Sequence, residues 1–317
     1  MMKNKRTSVN PDEVTNGINS EETATVCERE EQTKKDKVLF FVKNGLILFS
    51  ALLAFIGLFV SGTRIGKDEW LFLTSYKDFV ACTGKTVLLV VFILSAVGSF
   101  ALLATSAIIF AKKKKDISAY AYSAVLISLV GTASYMSLET FGGLARAMEA
   151  MIILSFIMLG ASIALSCVSA CRENKKGLRT EIMKGLVTAV LAVSVISFGF
   201  PAVYEFKIGI FAICREMSGW PTILIVICFL AGLFITAGSG IAKAFLKDKT
   251  SVALACVGLF LQMAVYGGVV ALFRGGEIIS DYIIGMAISF IGVVLNIVHT
   301  VLKKKNGKNE QTSDLTV

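Results

Sequence analysis

Apolar residues in this chain gather into long unbroken blocks separated by short polar segments. Eight blocks stand out, at Val38–Val60, Val87–Ala111, Ile117–Leu138, Ala150–Cys171, Ile182–Tyr204, Thr222–Ala242, Ser251–Phe273 and Tyr282–Leu302. Each holds 21 to 25 residues. About 20 residues, rising 1.5 Å each, cross a hydrocarbon core of ~30 Å. Lipid offers the backbone no hydrogen-bond partners, so such blocks must satisfy themselves as helices. The pattern predicts an all-α, polytopic integral membrane protein with eight transmembrane helices.

The blocks form an ordered series. Phe79-x-x-Cys82 recurs 132 positions later as Phe211-x-x-Cys214. The segments 114–116 (KKD) and 246–248 (LKD) keep that offset and align Asp116 with Asp248, as do 141–143 (FGG) and 273–275 (FRG). SFI at 155–157 returns at 289–291, and KNGL at 43–46 resembles KGL at 184–186. Matches in one order along the chain are the mark of an internal repeat. The expectation is two tandem four-helix repeats, residues 38–176 and 177–302. Four is an even number, so both copies enter and leave on one side and lie in parallel orientation.

Polar residues mark the flanks. Residues 1–37 carry seven basic and eight acidic residues and few apolar ones, which predicts a disordered tail. Residues 303–317 form a second, basic and polar tail. No signal-peptide pattern precedes the first block.

Composition agrees with the block pattern. Of 317 residues, 55% are hydrophobic and 17% charged, against about a quarter charged in soluble domains. The net charge of +9 is placed unevenly. With eight spans, 24 of the 32 Lys and Arg fall on the side of the two tails, including the run Lys112–Lys115, and 8 on the other. Basic residues accumulate on cytoplasmic loops. This predicts both termini cytoplasmic in the cell membrane, with the lysines at headgroup level in contact with the lipid bilayer. Nothing aromatic is interleaved with the basic run, so a nucleic-acid partner is not expected.

Chemistry is sparse. The chain has one histidine, His299, and lacks the metalloprotease, nucleophile-elbow and P-loop patterns. The reading is therefore no enzyme, no cofactor, no metal and no catalytic residues. Lys43, Lys184 and Lys243 lie near cytoplasmic span ends, where long side chains reach back to water. Two amides fall within spans, Gln262 and Asn296. Each requires a polar partner in lipid, either a neighbouring helix or a substrate.

Two outer loops are long. Phe206, Ile210, Ile213 and Met217 recur at helical spacing in one; Phe72, Tyr76 and Phe79 do so in the other, after Trp70. Both predict short helices in the membrane interface. Cys82 and Cys214 fall in these loops at matching places. An oxidising exterior permits a disulfide between the repeats; the competing reading is two small apolar residues. Two functions remain. One is a non-enzymatic membrane assembly or interaction protein that meets a membrane or exoplasmic partner through its outer loops. The other is a secondary transporter or permease for an apolar or weakly polar small molecule, with its site between the halves near Gln262 and Asn296.

Overall fold

The structure, a computed structural model, describes residues 11–60, 62–65, 68–71, 85–137, 143–144, 146–173, 178–200, 209–210, 219–272 and 280–313. Among the described residues eight helices follow one another: α1 (Pro11–Phe59), α2 (Lys85–Ile108), α3 (Ser118–Met136), α4 (Arg146–Glu173), α5 (Leu178–Ser197), α6 (Trp220–Ala244), α7 (Asp248–Leu272) and α8 (Ser280–Ser313). A π-helical turn, Ile109–Lys113, ends α2. Seven of these helices are long and apolar enough to cross a membrane. The chain divides into a unit of residues 1–42 and a unit of residues 43–317.

Four features of the structure go beyond the apolar blocks. First, α1 begins at Pro11, within the polar N-terminal segment. Its sequence sets Glu30 and Glu31 four residues before Lys34 and Lys35, a spacing that favours helix by a few tenths of a kcal/mol per pair.

Second, a small sheet accompanies the helical bundle. The connection after α1 opens with a hairpin, β1 (Gly62–Ile65) and β2 (Asp68–Leu71), in which Thr63 opposes Trp70 and Arg64 opposes Glu69. β3 (Gly143–Leu144), from the connection between α3 and α4, pairs antiparallel with β1, giving the order β2-β1-β3. Trp70 therefore belongs to a strand. The helices expected at 72–79 and 206–217 lie outside the described residues, apart from Gly209 and Ile210, which are buried.

Third, α5 is shorter than its apolar block. Its apolar part ends at Ser197, so Ile182–Ser197 reaches only about 24 Å at 1.5 Å per residue. The amides of Phe198, Gly199 and Phe200 donate to the carbonyls of Val195, Ile196 and Ser197 at 3.4, 3.0 and 3.2 Å. These bonds tighten the last turn, and Pro201 follows; the residue before a proline is driven out of the α region.

Fourth, the small-residue helix at the centre is α3. It is buried along nearly its whole length, as neighbouring helices are not, and packs on α2, α5 and α6. A Cβ at Gly131 would lie 2.5 Å from Leu58 of α1, and one at Gly240 of α6 would lie 2.7 Å from Leu126 of α3. Absent side chains at these two points let three helices close around α3, which is how apolar helices associate where lipid is as apolar as leucine.

Serine hydroxyls pin the remaining contacts. Ser50 of α1 and Ser155 of α4 exchange hydroxyl-to-carbonyl bonds at 2.8 and 3.2 Å. Ser99 of α2 donates to the Ala124 carbonyl of α3 at 3.1 Å, and Ser239 of α6 to the Ser251 carbonyl of α7 at 2.8 Å. α8 packs on α5 and α7. The neighbours α2/α3 and α6/α7 are each close pairs.

Candidate functional site

The functional geometry of the described residues gathers at the basic helix ends. Both connections there turn through a non-glycine residue in the left-handed region, Lys114 (φ 47°) after α2 and Leu246 (φ 59°) after α6. The Leu246 turn is bonded as a Schellman cap: Lys247 N–H donates to Ala242 O at 2.8 Å and Leu246 N–H to Lys243 O at 3.0 Å. Each turn delivers a carboxylate two residues later.

After α2 that carboxylate is Asp116. Lys43 of α1 donates to its Oδ2 at 2.8 Å, and the Ser118 amide to its Oδ1 at 2.8 Å. Burial alone raises the Asp116 pKa, but the hydrogen bonds from Lys43 and the Ser118 amide outweigh it and hold the carboxyl below its usual 3.8. Next in the α1 sequence, the buried Asn44 Oδ1 accepts from the Ile117 amide at 3.0 Å. One side chain of α1 thus fixes the charge of this turn and the next its backbone.

After α6 the carboxylate is Asp248, and it is more enclosed. Lys243 donates to its Oδ1 at 2.8 Å and Lys303 of α8 to its Oδ2 at 2.7 Å. The Lys243 side chain is 0% exposed, against 46% for Lys303. The expectation that Lys243 reaches back to water is therefore wrong: α7 and α8 cover it and supply its counter-charge. His299 is also buried. Its Nδ1 lies 2.7 Å from Lys243 Nζ. An ammonium has only hydrogens to offer, so Nδ1 is the acceptor and Nε2 carries the ring proton. Nε2 is buried without a hydrogen-bond partner among the described residues.

Gln262 and Asn296 are both fully buried. Gln262 Nε2 donates to Ser197 Oγ of α5 at 3.3 Å, and Asn296 Nδ2 to Ser251 Oγ of α7 at 2.8 Å. Their carbonyl oxygens have no hydrogen-bond partner among the described residues. The Tyr282 hydroxyl donates to the Gln262 backbone carbonyl at 3.4 Å, and its ring stacks on Tyr266. All these groups sit on α5, α7 and α8, within residues 177–302. Cys82 and Cys214 lie outside the described residues. Among the described residues no group of three His, Cys, Asp or Glu is placed to hold a metal ion.

A cavity of about 110 Å³ opens where residues 43–166 meet residues 184–244. Lys43, Asp116, Ser162 and Ser166 line it from one side, Lys184 and Thr188 from the other. Tyr122 of α3 crosses between them, its hydroxyl donating to the Thr188 carbonyl. Ser162 donates to the Lys43 carbonyl at 3.1 Å and Ser166 to the Ser162 carbonyl at 2.9 Å. Those hydroxyls thus have only lone pairs left to offer, whereas Lys43 has spent one of three N–H groups on Asp116. Sequence reasoning placed Lys43 and Lys184 as membrane anchors and missed this pocket. The available signal was the set of matching sequence segments, KNGL (43–46) with KGL (184–186) and KKD (114–116) with LKD (246–248), which sets Lys43 against Lys184 and Asp116 against Asp248.

Comparison with protein-family models, with curated proteins and with solved structures found no match.

Proposed function

We propose that the chain is a non-enzymatic assembly or interaction protein of the cell membrane, with eight spans in two parallel four-helix repeats and both termini cytoplasmic. The observation that carries the interaction reading is the filled centre. The central helix, α3, is enclosed by α1, α2, α5 and α6 at van der Waals distance. Two features support the repeat. Lys114 and Leu246, the two non-glycine residues with positive φ among those described, are 132 positions apart, the offset of the sequence matches. The close pairs α2/α3 and α6/α7 occupy corresponding places. For the eighth span, the full helix Leu178–Ser197 has 20 residues, about 30 Å, enough to cross.

A partner would meet the face opposite the lysines. Trp220, which opens α6 there, is 84% exposed, and tryptophan is enriched both at interface hot spots and in the membrane's aromatic belt. A photo-crosslinking amino acid at position 220 separates the two. A discrete protein adduct in cells, lost on deleting residues 206–217 while membrane insertion persists, is expected. Adducts to lipid alone would overturn the interaction reading.

One observation favours the second reading, transport of a weakly polar small molecule: the pocket between the halves has both polar and apolar lining. Gln262 and Asn296 lie away from that pocket, so a transport site there would depend on Tyr122, Lys43 and Lys184 instead.

A further inference from the structure

Five buried side-chain polar atoms among the described residues have no hydrogen-bond partner there, and four of them share one seam. They are Gln262 Oε1 of α7 and Ser289 Oγ, Asn296 Oδ1 and His299 Nε2 of α8. The fifth, Ser95 Oγ, belongs to α2. Tyr282, Ser289 and Asn296 follow at intervals of seven, two helical turns, so they lie along one face of α8 with His299 just beyond. The seventeen-residue step from Tyr282 to His299 rises about 25 Å, most of a hydrocarbon core of ~30 Å. Hydroxyls of α5 and α7 close the seam. Ser197 Oγ takes the Gln262 amide and donates to the Gly285 carbonyl at 3.4 Å, and Ser251 Oγ takes the Asn296 amide. Between those levels Gly292 lies against Ser194 of α5, where a Cβ would stand 3.5 Å from the hydroxyl.

Packing does not demand this file of polar groups. By the matching segments SFI 155–157 and 289–291, Asn296 and His299 fall opposite Ser162 and Leu165; at the 132-residue offset, Gln262 falls opposite Val130 and Lys243 opposite Ala111. Ser155, opposite Ser289, has its partner in Ser50. A buried polar atom without a partner is costly, and water ordinarily meets such atoms. The seam suits water: two amide oxygens accept, the Ser289 hydroxyl gives and takes, and His299 offers an N–H. His299 ends the file. Its Nδ1 accepts from Lys243 and its Nε2–H is left to the seam, so the ring stands between the file and the Lys243–Asp248 pair. The charged groups around that ring are Lys243 of α6, Asp248 of α7 at 3.9 Å, Lys303 of its own helix and Lys184 of α5. Half-exposed Lys303, bonded to Asp248, joins the cluster to water.

We propose that the seam between α5, α7 and α8 is a hydrated file that conducts protons across the membrane, between Tyr282 at one end and the Lys243–His299–Asp248 cluster at the basic face. Ionisable groups buried in spans, joined by polar side chains, are the usual parts of proton relays. A proton moves along the file by one O–H or N–H bond breaking as the next forms. One proton therefore leaves for each that enters, the gradient across the membrane supplies the drive, and no lumen through the bundle is needed. The inference goes beyond the interaction reading and requires no protein partner, so failure of crosslinking at position 220 leaves it standing.

The test uses the full chain reconstituted into phosphatidylcholine vesicles that hold a pH-sensitive dye. A potassium diffusion potential set by valinomycin drives protons inward, and the dye reports the rate of internal acidification. Wild-type protein should acidify the lumen faster than protein-free vesicles do, in proportion to the protein added. Gln262→Met and Asn296→Leu keep the bulk of each side chain and remove its polar atoms. Each should lower the protein-dependent rate about tenfold, the effect of one lost hydrogen bond on the transfer through it. Either variant can carry the result if the other misfolds. Ser95→Ala removes the fifth hydroxyl, which lies outside the seam, and should conduct as wild type. Wild-type flux no faster than that of protein-free vesicles, unchanged flux in both Gln262→Met and Asn296→Leu, or an equal loss in Ser95→Ala would overturn the proposal.

Discussion

Lys243 is the residue whose surroundings depart most from its sequence neighbourhood. It sits one position from the end of α6, where a lysine ordinarily turns its ammonium to water. Here it is fully enclosed, held by Asp248 Oδ1 and facing His299 Nδ1. Removing one member of a buried ion pair strands the other charge and costs about 3–5 kcal/mol, whereas a half-exposed pair contributes about 0–1 kcal/mol. Asp248→Asn should therefore lower the Tm of the detergent-solubilised protein severely. Lys303→Gln, which withdraws the 46% exposed partner of the same carboxylate, should barely move it. Equal shifts would mean that Lys243 finds another partner or sheds its proton. Local sequence could not disclose this arrangement. The carboxylate is five residues away, but the cover comes from α8, with His299 56 residues and Lys303 60 residues further along the chain.

At the scale of elements, helix positions were legible because lipid leaves the backbone one solution, and each apolar block contains a helix. Helix ends were less so. Tyr204 closes the fifth apolar block, yet α5 stops at Ser197 because Gly199 must lie against α3, where a Cβ would come within 2.7 Å of the Ala133 carbonyl. The strands were missed because their signal is short: Thr63, Ile65 and Trp70 around Gly66-Lys67 make a hairpin only four residues long on each side. The turns at the basic face carry a sharper consequence. A non-glycine residue in the left-handed region costs about 1–2 kcal/mol, and glycine returns about 0.5–1 kcal/mol of that as extra freedom of the unfolded chain. Leu246 and Lys114 are both well exposed, so little packing is lost on trimming them. Leu246→Gly and Lys114→Gly should each stabilise by roughly 0.5–1 kcal/mol, read as a rise in Tm. If the two turns are copies of one design, the gains should be similar. A fall in Tm for either would show that its side chain holds the turn by a contact stronger than the strain.

For the whole molecule, the topology turns on α5. Among the described residues seven helices have the length and hydropathy to span, and α5 falls short in apolar length while reaching about 30 Å over all its residues. Its packing argues for crossing. Val187, Leu191, Ala192 and Val195 are buried, and α5 lies along α3, α4, α6 and α8, which is the setting of an inner span and not of a helix lying on the surface. The charge pattern leads to the same place: the pairs Lys43–Asp116 and Lys243–Asp248 share one face only if an even number of crossings separates them. The alternatives differ in a measurable way. With α5 spanning, the connection at Lys113 and the end of α8 at Lys304 lie on the same side of the membrane, which the proposed orientation makes the cytoplasmic one. Without it, everything after α5 is inverted, and Lys304 lies opposite Lys113. In a background with the native cysteines replaced by serine, Lys113→Cys and Lys304→Cys should both resist a membrane-impermeant maleimide added to intact cells. Both should react once the membrane is opened, while Glu69→Cys, in the hairpin on the other face, reacts from outside. Labelling of Lys304→Cys in intact cells would reduce the bundle to seven crossings and remove the parallel repeat, since a three-span second half cannot enter and leave on one side.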